Sequence, residues 1–290
     1  MKLSVPTIRS NMYGFSEIAH LAELSKNLWF DDVILSFDHC GFFEANMSAP
    51  LSVVIANLRS RVNDVDIQGV STKIGNILKK NHFLSTFNME ALHDTNQTTL
   101  PFKKFKLGAG EQFNEYLEQY MRGRGIPTMS VSLSKRFRQS LLEIFLNASI
   151  HSGSEFGIVV CGQYFPNKNR LDFTIVDAGI GIRENVRRYT GNQQISSCAA
   201  IEWALTEGNT TQTGPQPGGL GLKLLMDFIR LNRGKLQIVS RFGYYEFQAD
   251  GGSFSKMAHD FTGTCVNIEI NTRDPASYCL RSELTNEDIF

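Results

Sequence analysis

From Ser134 to Ser152 the chain reads SKRFRQSLLEIFLNASIHS, a run with no Pro or Gly to break a helix, and Gly153 follows as a stop signal. At ~100° per residue, Glu143, Asn147 and His151 share an arc of ~80°, with Ser140 inside it. Leu141, Leu142, Ile144, Phe145, Leu146, Ala148 and Ile150 fill the rest of the circumference, so the helix is expected to be buried on nearly every side. An unpaired carboxylate or amide there would cost several kcal/mol, so something must meet the polar stripe. Neighbouring backbone would make it an ordinary satisfied seam. The sharper candidate is Mg²⁺, which takes one or two protein oxygens and completes its shell with phosphate and water. Asn147 would then be the metal oxygen, and Glu143 would polarise a water or a hydroxyl.

The run Leu171 to Val176 alternates polar and apolar residues, is rich in β-formers, and predicts a strand ending at Asp177. In Asp177-Ala178-Gly179-Ile180-Gly181 two glycines let backbone approach a ligand closely, and a carboxylate at a strand end can accept from an exocyclic amine. The plain alternative is that Asp177 caps a helix starting near Arg183. Gly208 to Gly221 is polar and glycine-rich and precedes the helical run Leu222 to Leu231. Backbone amides of such a loop and helix start form a phosphate cradle, and its length suits a lid from about Thr206 to Pro217. Neither a P-loop nor a dinucleotide glycine fingerprint occurs, so nucleotide binding would need another architecture.

Taken together these segments resemble the GHKL ATPase superfamily, which includes gyrase-type ATPases, sensor histidine kinases and anti-sigma-factor serine kinases. Glu143-x-x-x-Asn147-Ala148-x-x-His151 is similar to its N box, Asp177-x-Gly179-x-Gly181 to its G1 box, and Gly219-Leu220-Gly221-Leu222 to its G2 box. Gly263-Thr264 resembles the late Gly-Thr that completes the adenine pocket. The resemblance implies an α/β chain whose C-terminal part is a Bergerat-fold sandwich, a mixed sheet with helices on one face, binding ATP and Mg²⁺. It also implies that Asp177 binds the adenine amine, Asn147 binds Mg²⁺, and Glu143 orients the group attacking the γ-phosphate. His151, Gly179, Gly181, Ile182, Gly218, Gly219, Leu220, Gly221, Leu222 and Thr264 complete the implied nucleotide set. Two departures set the chain apart from sensor kinases. His82 and His93 lie in no phosphoacceptor pattern, and Ile150 stands where many histidine kinases carry a basic residue.

Before residue 100 the sequence predicts a helix over Phe15–Asn27, strands at Val33–Phe37 and Val65–Gln68, and helices at Leu51–Leu58 and Thr72–Lys80. Strands alternating with helices argue for a small parallel α/β unit. The stretch Ile34 to Leu51 resembles a STAS-type antagonist domain, with Asn46-Met47-Ser48-Ala49 in place of the usual signature. That resemblance puts Ser48 at the phosphoacceptor position; an N-cap is the alternative. The expected organisation is 1–98 for this unit with its linker (Ser85–Pro101 being irregular and polar), 99–272 for the nucleotide domain, and 273–290 for a polar tail. Phe102-Lys103-Lys104-Phe105-Lys106 reads as an amphipathic edge strand rather than a nucleic-acid contact.

The 29 basic and 29 acidic residues cancel, so no global field draws the chain to nucleic acid or anionic membrane. The first twenty or so residues lack a signal-peptide core, and no apolar run of about 18 residues occurs, so a cytoplasmic protein without membrane association is expected. Cys40, Cys161, Cys198, Cys265 and Cys279 show no metal or disulfide spacing, and Cys161 and Cys265 read as small core residues. Two functions fit: an ATPase or serine/threonine kinase acting on water or a partner's hydroxyl, or a nucleotide-gated interaction switch without turnover. A protein partner, a regulator or a phosphoacceptor, is expected beside the nucleotide, and a homodimer is a further option.

Overall fold

The structure is a computed structural model that describes residues 1–206, 208–209 and 220–283. Its N-terminal part alternates β1 (Lys2–Ser4), α1 (Met12–Leu24), β2 (Asp32–Ser36), α2 (Ser48–Ser60), β3 (Asp64–Gln68) and α3 (Thr72–Lys80). The three strands pair in parallel in the order β1-β2-β3, with Leu3 opposite Leu35 and Leu35 opposite Ile67. The small parallel unit expected from the alternation is therefore present, with β1 added in front of it. Asn11 and Ser71 cap α1 and α3, accepting from the Gly14 and Ile74 amides at 2.9 and 3.5 Å.

The second part contains β4 (Thr99–Phe105), α4 (Gly110–Tyr120), α5 (Val131–His151), β5 (Ile158–Phe165), β6 (Arg170–Asp177), α6 (Ile182–Thr190), α7 (Ser197–Leu205), α8 (Leu220–Asn232), β7 (Lys235–Gln248) and β8 (Gly251–Asn271). The sheet order is β4-β5-β6-β8-β7, and every pairing is antiparallel, not mixed as the resemblance implies. Tight hairpins reverse the chain between β5 and β6, where Asn169 is left-handed, and between β7 and β8, where Gly251 has a φ of 124°. β8 then returns between β6 and β7.

Both faces of this sheet are covered, which is why β5 and β6 are buried along almost their whole length. Ile158, Val160, Phe173 and Ile175 face a core built with Phe113, Phe145 and Phe228 of α4, α5 and α8. The alternate residues, Val159, Cys161, Val176, Val239 and Cys265, share a core with Phe15 and Ile18 of α1 and Leu51 and Val54 of α2. The N-terminal helices thus lie on the face opposite the C-terminal helices.

A polar row is buried at that junction. Thr174, Asn267 and Gln237 stand in register on β6, β8 and β7. Thr174 Oγ1 donates to Asn267 Oδ1 at 2.7 Å, and Asn267 Nδ2 donates to Gln237 Oε1 at 2.9 Å. Asn46 inserts its amide from above, donating to Ser10 Oγ, Thr174 Oγ1 and Asn267 Oδ1 at 2.8, 3.1 and 3.1 Å. Beside it Glu44 pairs with Arg170.

Several expectations are corrected. α5 is not buried all round: Ile150 is 60% exposed and Leu146 37%, while Leu133, Phe137, Leu141, Ile144 and Phe145 enter the core and Leu142 and Ala148 pack against it. The expected linker ends early, since β4 begins at Thr99, whose amide and hydroxyl both donate to Asp94 Oδ2 at 2.7 and 2.8 Å. β4 is an edge strand, as read, and Lys104 lies 3.9 Å over the Phe156 ring. Ser48 is fully buried, and its hydroxyl donates to the Ala45 carbonyl at 2.6 Å. It neither caps α2 nor reaches solvent as a phosphoacceptor must. The tail docks at its start, with Tyr278 bridging to Met129; residues 284–290 lie outside the described residues. No helix among the described residues is long and apolar enough to cross a membrane.

Candidate functional site

Three adjacent strands lay two rows of side chains side by side on the helix-bearing face. Ile175, Val266 and Ile238 are in register on β6, β8 and β7, and two residues further along so are Asp177, Thr264 and Ser240. The first row is an apolar floor and the second a polar edge. A cavity of about 210 Å³ opens above them, walled by α5, α6 and α7 and by the first turns of α8.

The stripe on α5 supplies one wall: Glu143, Asn147 and His151 all line the cavity. α5 is started by Ser130, whose hydroxyl accepts from the Leu133 amide at 3.1 Å. Asn147 is exposed at the rim, while Glu143 and His151 are partly buried. Burial lowers the His151 pKa below its ordinary value and favours the neutral ring. Ser140, although on the same stripe, is buried away from the cavity and donates to its own helix at the Arg136 carbonyl, 3.0 Å.

The turn after β6 is locked to the end of α5. Ile180 donates to the Ser152 carbonyl at 3.0 Å, and a Cβ on Gly179 would stand 2.0 Å from that same oxygen. Gly179 is therefore packed against α5 and not in the cavity wall, whereas Gly181 and Ile182 line it. Asn185 Nδ2 adds a clamp, donating to the carbonyls of His151 at 2.9 Å and Gly181 at 3.3 Å.

Asp177 is 3% exposed, and its Oδ1 accepts the Gly179 amide at 2.8 Å. It does not cap α6, whose N-cap is Gly181. Burial pushes its pKa up to about 7, against the opposing pull of the Gly179 and Thr264 amides. A buried carboxyl with acceptor capacity at the edge of an apolar cavity is suited to a ligand that donates a hydrogen bond. Gly263, at φ 84°, lets β8 approach so closely that a Cβ there would lie 2.0 Å from the Asp177 carbonyl.

Of the sequence-predicted residues, the structure brings Glu143, Asn147, His151, Asp177, Gly181, Ile182, Leu222 and Thr264 around one cavity. Leu220 and Gly221 open α8, one turn or less before Leu222. Gly218 and Gly219, with most of the expected lid, lie outside the described residues. Sequence reading missed Ser240, which accepts from the Ile182 amide at 2.9 Å and donates to the Gly263 carbonyl at 3.0 Å. One hydroxyl so ties the Asp177 turn to the Gly263-Thr264 turn. It also missed Asn185 and Trp203. No local motif marks these residues; only strand pairing and helix packing bring them to the site.

The oxygen donors at the rim fit a divalent cation that takes few protein ligands. Among the described residues no group of three or more His, Cys, Asp or Glu side chains forms a cage. Asn147 and Glu143, one helical turn apart, offer the one or two hard oxygens that Mg²⁺ uses when phosphate supplies the rest. No protein-family model matches the chain, and no curated protein sequence matches it.

Proposed function

We propose that this cavity binds ATP with Mg²⁺, as in a GHKL-type ATPase, and that the protein hydrolyses ATP or passes its γ-phosphate to a serine or threonine of a partner protein. The observation that carries this reading is the convergence of Glu143, Asn147, Asp177, Leu222 and Thr264, from four segments far apart in sequence, on one cavity with an apolar floor and a polar edge. The Ile175-Val266-Ile238 row suits the face of a purine, and Asp177, as carboxylate, accepts from its exocyclic amine. Thr264 and Ser240, 3.2 Å apart, add hydroxyls along the same edge.

Asn147 would hold Mg²⁺, which when bound neutralises charge on the phosphates. Glu143, one turn earlier on α5 and deeper in the wall, orients and polarises the attacking hydroxyl or water. The start of α8 and the residues Gly218 to Leu222 supply amides for the phosphates. The N-terminal parallel unit, proposed as STAS-like, serves as the regulatory element covering the other sheet face; its buried Ser48 is not the phosphate acceptor.

The test is the fate of the γ-phosphate. Wild type and Glu143→Ala are incubated with γ-labelled ATP and Mg²⁺, with ATP binding measured in parallel. Release or transfer of label by wild type, with binding but no turnover in Glu143→Ala, is expected. Absence of ATP binding in wild type refutes the reading, and binding without turnover reduces it to a nucleotide-gated switch.

A further inference from the structure

A second cavity, of about 570 Å³, opens at the opposite end of the sheet. β6 runs from Arg170 to Asp177, β8 passes Thr264 before ending at Asn271, and α8 carries Leu222 near its start and Asn232 at its end. β6 and α8 therefore run from one cavity to the other, and β8 passes the proposed nucleotide cavity in its interior before ending at this one.

Lys168, Arg233 and Arg273 line the second cavity, against the single carboxylate of Asp274. That carboxylate is already engaged. Its Oδ2 accepts from Asn232 Nδ2 at 2.8 Å and from the Tyr278 hydroxyl, and its Oδ1 accepts the Ala276 amide at 3.0 Å. Among the described residues, none of the three cations has a carboxylate within ion-pair distance. Lys168 is held over the Phe42 and Phe165 rings, 5.0 and 5.2 Å from their centroids. Asn169 and Arg233 bring their turns to the cavity through left-handed backbone, at φ 51° and 55°, a conformation that non-glycine residues adopt only at a cost.

We propose that this cavity is a ligand site separate from the nucleotide cavity, taking a small anion with two or more negative charges through Lys168, Arg233 and Arg273. Three exposed cations on one concave surface outnumber its single carboxylate, Asp274, which Arg233 helps to keep ionised, so the surface favours a multivalent anion, and the guanidinium forks suit phosphate or carboxylate oxygens. The inference does not depend on the nucleotide reading.

Pyrophosphate and citrate, added separately to ¹⁵N-labelled full-length protein at low salt, test it through backbone amide shifts. Saturable shifts at Asn169, Arg233, Asn271 and Arg273 are expected, weakened at least tenfold in a folded Arg233→Gln/Arg273→Gln variant and reduced by salt because the cations are exposed. A response to both probes supports a general multivalent-anion site; a response to one alone supports it and assigns phosphate or carboxylate chemistry. Shifts centred on Asp177 and Thr264 alone, no saturable shift by about 10 mM probe, or unchanged affinity in the folded variant would overturn it.

Discussion

The two faces of the five-stranded sheet carry polar rows made by the same three strands, and the rows differ in what meets them. On the N-terminal side, Thr174, Asn267 and Gln237 hydrogen-bond to one another and receive Asn46 from the opposing unit. On the helical side, Asp177, Thr264 and Ser240 edge an open cavity, and Asp177 is held by backbone amides alone. A polar row bonded to its own fold acts as a fastener. One with spare acceptor capacity beside a cavity is suited to a ligand's donor, and burial raises the Asp177 pKa to about 7 against the pull of the Gly179 and Thr264 amides.

The largest effect is expected from Asp177→Asn. ATP affinity is expected to fall at least about a hundredfold, or about 2.7 kcal/mol at 1.36 kcal/mol per decade. Stability is expected to rise over the same step. With its folded pKa raised from 3.8 to about 7, Asp177 contributes stability below the unfolded value that is lost as pH climbs to the folded one. The variant's advantage in thermal or urea unfolding should therefore be small near pH 4 and reach on the order of 4 kcal/mol by pH 8. Equal ATP affinity in the two proteins would remove Asp177 from the site.

On the opposite face Asn46→Ala should do the reverse, costing about 2–3 kcal/mol of stability by leaving buried partners unpaired, with ATP affinity unchanged. Urea melts and calorimetry on one preparation would separate the two effects. A large affinity loss in a folded Asn46→Ala protein would show that the faces are not independent.

Protonating Asp177 removes its charge and turns one acceptor oxygen into a donor, so ATP affinity should weaken as pH falls below about 7, by no more than about the hundredfold expected for Asp177→Asn, and level off above it. A flat profile from pH 5 to 8 would mean that another group reads the base. The smallest expected effect belongs to Ser240→Ala. Losing the tie between the two turns should lower affinity by about fivefold, roughly 1 kcal/mol, with little change in the pH profile.

The sequence revealed what is local. The stripe on α5 depends on 3.6-residue periodicity, and the β6 strand ending at Asp177 on alternation followed by glycines; both stand where they were read. What it concealed depends on register between distant strands. The pairing of β8 with both β6 and β7, which puts Asp177 and Ser240 on either side of Thr264, leaves no trace in the residues around Ser240. Ser48 does open α2, as its sequence suggests, but its burial was hidden, because Asn81 and Cys161 close over it only in the fold. The apolar circumference of α5 misled in the other direction. Ile150 and Leu146 are as hydrophobic as their neighbours but stand 60% and 37% exposed among the described residues.

Photolabelling with 8-azido-ATP and Mg²⁺, followed by peptide mapping, tests most directly whether the open row is a nucleotide site. The expected result is label displaced by ATP and confined to peptides that wall the cavity, those carrying Asp177 to Ile182, Trp203 or Val266. ATP-displaceable label mapping only to other surfaces, or no displaceable label on the folded protein, would contradict it.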